Sequence, residues 1–148
     1  MIEIRQITAL ETHPIRQEVL RKGKPPESCQ FDGDDFPTTV HLGLYHNQEL
    51  AGIVTLLENS HPDFFTAKQF QLRGMAVLEQ CQNGGFGALL LKAAEDFAWG
   101  QDANRIWFNA RVTAVGFYEK AGYKKNGPPF EIENVGPHYL MYKDMSGL

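Results

Sequence analysis

The sequence predicts a fold that mixes helices with strands and pairs those strands in both senses, on two observations. Residues 39–45 and 50–57 are strand-like apolar runs separated by His46-Asn47-Gln48-Glu49, the composition of a hairpin turn, so they are expected to pair antiparallel. Residues 68–78 read as another strand, followed by a glycine-rich turn at 82–87, an amphipathic helix and a buried strand at 105–109. A unit of that order lays its two strands parallel through a right-handed crossover. At 148 residues the chain has the common size of one domain and needs neither disulfides nor metals to bury a core, so 1–148 is read as a single domain.

Ile2, Ile4 and Ile7 mark a first strand, and Ile15, Val19 and Leu20 share one face of a helix over residues 8–22. Residues 23–37 hold three prolines, two glycines and four acids, which makes them a loop with room for one helical turn. Loops of that length are often functional.

In the strand at 68–78 the apolar phase slips: Phe70 and Leu72 share one face, whereas Met75 and Val77 hold the opposite parity. Strand side chains alternate with period two, so one extra residue is needed to keep the core face, and a β-bulge is expected at 73–75. It would bend this strand away from its neighbour. Phe86, Leu89, Leu90, Ala93, Ala94, Phe97 and Ala98 then recur at helical spacing, with Gly100 as the stop. Residues 114–121 make a short helix closed by Gly122, and 123–126 and 139–143 are the final strands.

The composition, 43% hydrophobic and 22% charged, is that of a folded globular chain rather than a disordered one. The first residues alternate apolar and polar without the basic-then-apolar order of a signal peptide, and no apolar stretch reaches membrane-spanning length. No membrane partner is expected. Cys29 and Cys81 are too few for a disulfide framework, which fits a cytoplasmic location. The net charge is −4 and the basic residues are scattered along the chain, so no nucleic-acid partner is expected, and the acidity suits a cationic substrate such as an amine. The five histidines share no metal-ligand spacing, so no metal is expected.

The chemistry centres on Gln82-Asn83-Gly84-Gly85-Phe86-Gly87, between a strand and a helix. There, free N–H groups and the positive end of the helix dipole hold an anion, and glycine lets the backbone approach it. A flexible turn is the alternative. Two nucleotide motifs fail on spacing: Ala88-Leu89 stands where a P-loop needs Lys-Ser or Lys-Thr, and Leu90 and Asn109 stand where a dinucleotide fingerprint needs a glycine and an acid.

Gln82, Gly85 and Gly87 match the pattern Gln or Arg, two residues, Gly, one residue, Gly or Ala. With Leu72-Arg73-Gly74-Met75-Ala76-Val77 before it, and Asn109 and 114–123 after it, the sequence resembles the GNAT superfamily of acetyltransferases. The resemblance is best over residues 69–125. A looser match, through Leu42, Gly43 and residues 31–35, is to a bacterial subset of that superfamily without assigned substrates.

The resemblance implies an α+β fold. Its mixed, mostly antiparallel sheet of six or seven strands would carry helices on both faces, and the bulged strand would open a V-shaped cofactor cleft. It implies acetyl-CoA as cosubstrate, with the pantetheine arm pairing with backbone near Met75, Ala76 and Val77, the pyrophosphate at Gln82, Asn83, Gly84, Gly85, Phe86 and Gly87, and an oxyanion met by a strand N–H near Val77. It implies transfer by direct attack of a primary amine on a small molecule or peptide, in a chain that is a candidate homodimer. A non-catalytic acyl-CoA sensor and a transferase of longer acyl chains are the rival functions.

Tyr118 matches the family tyrosine that protonates the departing thiolate, although the Ala114, Phe117, Ala121 stripe alone reads it as packing. Asn109 either bonds the pantetheine amide or caps the following helix. The general base is not legible, because Gln69, Gln71 and Arg73 occupy the polar positions of the bulged strand, where the family often has a glutamate. Asp32, Asp34 and Asp35 with Phe31 and Phe36 form either an acidic, aromatic wall for an amine or a solvated loop. Arg73 and Arg111 either bind a substrate carboxylate or are surface charges.

Overall fold

A computed structural model of the chain describes residues 1–145; residues 146–148 of the expected domain lie outside the described residues. Strand β1 (Ile2–Ile7) runs into helix α1 (Ala9–Ile15), whose start is fixed by reciprocal bonds between Thr8 and Glu11: each side chain accepts from the other's backbone N–H. Pro14 has no N–H to donate, and directly after it the coil widens into a π-type turn over Arg16–Leu20. One short 3₁₀ turn, Pro26–Cys29, interrupts the loop that follows.

Strands β2 (Val40–His46) and β3 (Glu49–Glu58) form the expected antiparallel hairpin. The turn residues Asn47 (φ 51°) and Gln48 (φ 72°) both adopt the left-handed region, giving the twist that a two-residue hairpin requires. Next come β4 (Gln69–Val77), α2 (Phe86–Gly100), β5 (Arg105–Arg111), α3 (Val115–Lys120), β6 (Lys124–Lys125), β7 (Phe130–Ile132) and β8 (Gly136–Asp144). They form one sheet in the order β1-β2-β3-β4-β5-β8-β6, with β7 also pairing to β8. Among the described residues β4·β5 is the one parallel pair, so the sheet is mixed and mostly antiparallel.

Among the described residues eight strands form, where six or seven are expected. The extra one, β7, is three residues long and follows Gly127-Pro128-Pro129, so its alternation is too brief to stand out from turn composition.

The sheet is covered on both faces. Leu42, Leu44, Val54, Leu56, Phe70, Leu72, Ile106, Phe108 and Met141 pack with Leu90, Leu91, Ala94 and Ala98 of α2 and with Val115 and Tyr118 of α3. On the opposite face Ile53 and Ala76 meet Ile7 and Ile15, and Trp107 and Leu140 pack with Phe64.

The phase slip read from β4 is a bulge at the expected place. Ile53 faces Ala76 and Thr55 faces Arg73, so two steps along β3 match three along β4. Gly74 takes φ +62° there, and a Cβ on it would stand 3.0 Å from the Phe31 ring. Beyond the bulge β4 leaves its parallel neighbour: the ladder to β5 stops at Gln71–Trp107, although both strands continue.

Candidate active site

The parting of β4 and β5 leaves the facing N–H and C=O groups after Gln71 without a strand partner. Such groups must be satisfied by another chain, by water or by a ligand. Met75 lines the resulting cavity; Ala76 turns its methyl to the α1 face, and Val77 packs against the α2 face. These residues therefore offer a ligand mainly backbone.

At the end of β4 the Gln82 side-chain amide donates to the Val77 carbonyl at 3.0 Å and ties the glycine turn to the strand. Asn83 (φ 69°) and Gly85 (φ 81°) both take left-handed conformations, and Gly85 is the N-cap of α2 without any side-chain cap. The first helical bond runs from the Leu89 N–H to the Gly85 carbonyl, so the N–H groups of Phe86, Gly87 and Ala88 point outward without intrahelical acceptors. The Phe86 ring is buried against His46 and the core, leaving its N–H as its outward group. Gly87 lies under Phe117: a Cβ there would stand 3.4 Å from that ring.

Tyr118 lines the cavity between the splayed strands, with its ring packed on Phe108 at 4.3 Å and edge-on to Phe117 at 5.1 Å. Burial pushes its phenol up to about 12, so it stays protonated at neutral pH. Asn109 is solvent-exposed on β5 and also lines the cavity. The following 3₁₀ turn and α3 start at Arg111 and Ala114 with no side-chain cap, which removes the capping alternative for Asn109.

The same cavity, about 370 Å³ in all, is also lined by side chains the sequence leaves unconnected: Arg21, Phe31, Arg73, Arg111, Val135 and His138. The acidic wall considered for residues 31–36 is absent, since Asp32, Asp34 and Asp35 do not line it. Asp34 instead grips Arg16, whose side chain is wholly buried, with bonds of 2.6 and 3.0 Å. Burial alone would raise the Asp34 carboxyl, but the bonds from Arg16 and the Phe31 N–H and the charges of Arg16 and His41 outweigh it and hold it below its ordinary value. Arg16 also donates to the Cys29 carbonyl at 2.8 Å and to the Thr55 hydroxyl at 2.9 Å. His41 Nε2–H donates to the Asp34 carbonyl at 3.1 Å, and its Nδ1 is hydrogen-bonded with the Thr55 hydroxyl at 2.7 Å. The loop at 30–39 is thus pinned over the sheet, which sets the Phe31 ring beside the bulge.

His138 is the residue that sequence reasoning missed. It is buried on β8, and its Nδ1 donates to the Gly136 carbonyl at 2.7 Å. The bond fixes the tautomer, leaving Nε2 with a lone pair and no bonding partner among the described residues, in a side chain that lines the cavity. No spacing signals it: a single histidine 20 residues after Tyr118 reaches the site only through the β5·β8 ladder, where it faces Arg111.

The acetyltransferase (GNAT) family model matches residues 4–123. The chain belongs to that family. In sequence it is 34% identical over 145 residues, 98% of this chain and 97% of the relative, to a Bacillus subtilis (strain 168) protein named uncharacterized N-acetyltransferase YitI. In fold it resembles the ribosomal-protein-S18-alanine N-acetyltransferase from Escherichia coli, with a TM-score of 0.76, 17% identity, and 100% of this chain and 96% of that one covered. It also resembles an aminoglycoside 6'-N-acetyltransferase complexed with coenzyme A, with a TM-score of 0.73, 14% identity, and 99% and 98% covered. At those identities the likeness is one of GNAT architecture. No helix of the described residues is long and apolar enough to cross a membrane, and no metal-binding cluster of His, Cys, Asp or Glu occurs among them.

Proposed function

We propose that this GNAT chain moves an acetyl group from acetyl-CoA to a primary amine by direct attack. The observation that carries it is the early end of the β4·β5 ladder beside the outward N–H groups of α2. The pantetheine arm takes the missing strand's place along Met75, Ala76 and Val77, and the pyrophosphate sits on the turn from Gln82 to Gly87, where the helix dipole favours negative charge. Asn109, free of any capping duty, bonds the pantetheine from the β5 side.

An attacking amine must first lose a proton. His138 Nε2, held as an acceptor by the Gly136 carbonyl, takes it directly or through one water. The nitrogen lone pair attacks the thioester carbon, the oxyanion meets a β4 backbone N–H beyond the bulge, and collapse expels the CoA thiolate while the nitrogen's remaining excess proton passes to the departing sulfur or to water. Tyr118 donates a hydrogen bond to that sulfur. Its phenol is far less acidic than a thiol, so full proton transfer is uphill and its help is mostly electrostatic. The free cysteines Cys29 and Cys81 suit a reducing, cytoplasmic setting.

Two measurements test the scheme. CoA at about a hundred times its dissociation constant should stabilise the fold by about 2.7 kcal/mol, whereas NAD and ATP should not. A melting curve that CoA leaves unmoved removes the reading, and CoA binding without thiol release for any amine leaves an acyl-CoA-binding module instead. His138→Gln should lower kcat/KM by about 10²- to 10⁴-fold, and the deficit should shrink as pH rises and the amine arrives unprotonated. A deficit independent of pH would make His138 a packing residue.

A further inference from the structure

Among the described residues, Arg21, Arg73 and Arg111 all line the cavity and no aspartate or glutamate does. An adjoining depression shares Arg21 and Arg111, adds Lys22 and Lys24, and likewise lacks an acid. In a chain of net charge −4 this is a local reversal of sign. The ion pairs among the described residues engage Arg5, Arg16, Lys92, Arg105 and Lys143, and none engages these three arginines.

The guanidinium groups are nevertheless held. Arg73 Nη1 donates to the Asp32 carbonyl at 3.0 Å; Arg21 donates through Nε to the Ser28 carbonyl at 3.3 Å and through Nη1 to the Leu20 carbonyl at 3.1 Å. Neutral carbonyls fix orientation without cancelling charge, and each arginine keeps further N–H donors unused. Arg16, Arg21 and Arg73 share the Phe31 ring, at 3.9, 4.7 and 5.1 Å from its centroid. Of these three, only Arg16 has a carboxylate partner, Asp34. Burial lowers Arg21 and Arg73 from their ordinary values; the like charges of Arg111 and Arg16 add to it on Arg21, whereas on Arg73 the charges of Asp34 and Asp32 oppose burial more strongly than Arg16 and Arg21 reinforce it. Arg21 and Arg73, half-buried and propped by neutral carbonyls with no carboxylate bonded to them, and the exposed Arg111 beside them offer unused donors to an anion.

We infer that the acceptor carries a carboxylate as well as its amine, and that Arg21, Arg73 and Arg111 bind that carboxylate and set specificity. The inference rests on the proposed transfer and names its substrate class. Planar guanidinium forks match a carboxylate with paired bonds. Arg111 stands directly opposite His138 in the β5·β8 ladder, and opposed residues share a face of the sheet, so anion binder and base are neighbours. Arg73 adjoins the bulge at the thioester end. A carboxylate on the arginines therefore delivers a nearby amine to His138 and the acetyl carbon. Polyamines and aminoglycosides would meet uncompensated positive charge instead.

The test uses the full chain with saturating acetyl-CoA. Acceptors are glycine, β-alanine and 4-aminobutyrate, the amide of each, the matching aminoalkyl phosphonates, and a polyamine. Thiol release is measured alongside melting curves with and without CoA. Acids should outperform their amides by about ten- to a hundredfold in kcat/KM, the range of a charged hydrogen bond, and raise the melting temperature where amides do not. Arg73→Gln and Arg111→Gln should each narrow that preference about tenfold or more, while the calorimetric CoA affinity holds. A polyamine or the amides matching the acids overturns the inference, and phosphonates exceeding carboxylates reassign the site to a phosphorylated amine. CoA affinity falling in step in both variants gives the arginines to the cofactor. The melting arm needs no turnover: protection by acids without CoA binding sinks the proposed transfer alone, whereas CoA binding with neither protection nor turnover by acids sinks the carboxylate site alone.

Discussion

On the side proposed for the cofactor, running from the cavity to the glycine turn beyond it, almost everything offered to a ligand is backbone from one stretch, residues 72–87: strand edges without partners and N–H groups at the start of α2. The part proposed for the acceptor is assembled from side chains of five separate segments, carrying Arg21, Phe31, Arg73, Arg111 and His138. A backbone site needs a bend, a turn and a helix start, each of which leaves a local mark in the sequence. A side-chain site needs only that the fold bring distant residues together. The first plan suits a constant ligand, and the second can be altered residue by residue without disturbing the first.

The largest effect that separates the two ends is expected at Asp34. Asp34→Asn leaves the buried Arg16 charge without its counter-ion, a change that costs about 3–5 kcal/mol and, at roughly 2–4 °C per kcal/mol in a chain of this size, about ten degrees of melting temperature. The exposed Asp32 and Asp35, changed to asparagine, should stay within about 0.5 kcal/mol of the parent. Since Asp34 is held below its ordinary value, its contribution is complete above that value and fades as pH falls through the lowered one. Equal effects at all three positions would return the loop to a solvated surface and loosen the mouth that Phe31 depends on.

The uneven legibility of the chain has the same origin. The bulge at 73–75 was readable because a parity slip between Leu72 and Met75 admits one structural remedy, and the glycine turn because Gln82, Gly85 and Gly87 keep fixed spacing. Asp34 is one of four acids in a loop of turn-forming residues, and nothing local says that it reaches back 18 residues to Arg16. The basic residues look scattered along the chain, yet Arg21, Arg73 and Arg111 converge once the sheet forms. His138 needed the β5·β8 register, which sets it opposite Arg111 from a distant part of the chain.

Tyr118 sits between the two ends and gives two readouts of intermediate size. Its folded pKa of about 12 exceeds the ordinary value of 10, so its contribution is complete below pH 10 and is lost as pH rises toward 12. Two pK units correspond to about 3 kcal/mol. Urea titrations across that range should show the decline, and Tyr118→Phe should lack this share of it. The same variant should keep CoA affinity and lose on the order of a hundredfold or less in kcat, because only a hydrogen bond to the leaving sulfur is removed. Unchanged kcat would confine Tyr118 to packing against Phe108.

The smallest effect bears most directly on the claim that the cofactor end is a backbone site. Gly85 has φ 81°, and a Cβ built on it meets nothing within 4 Å, so Gly85→Ala introduces strain without a clash. The left-handed conformation costs an ordinary L-residue about 1–2 kcal/mol. That cost appears either as lost stability or, if the turn relaxes and turns its N–H groups away, as a CoA dissociation constant raised by about tenfold. Asparagine tolerates the left-handed region better than alanine, so Gly85→Asn should recover part of whichever quantity alanine lost, although its side chain is larger. Calorimetric CoA binding and melting of the three proteins decide it. An asparagine variant worse than alanine would show that bulk at the turn, rather than backbone conformation, controls the phosphate site.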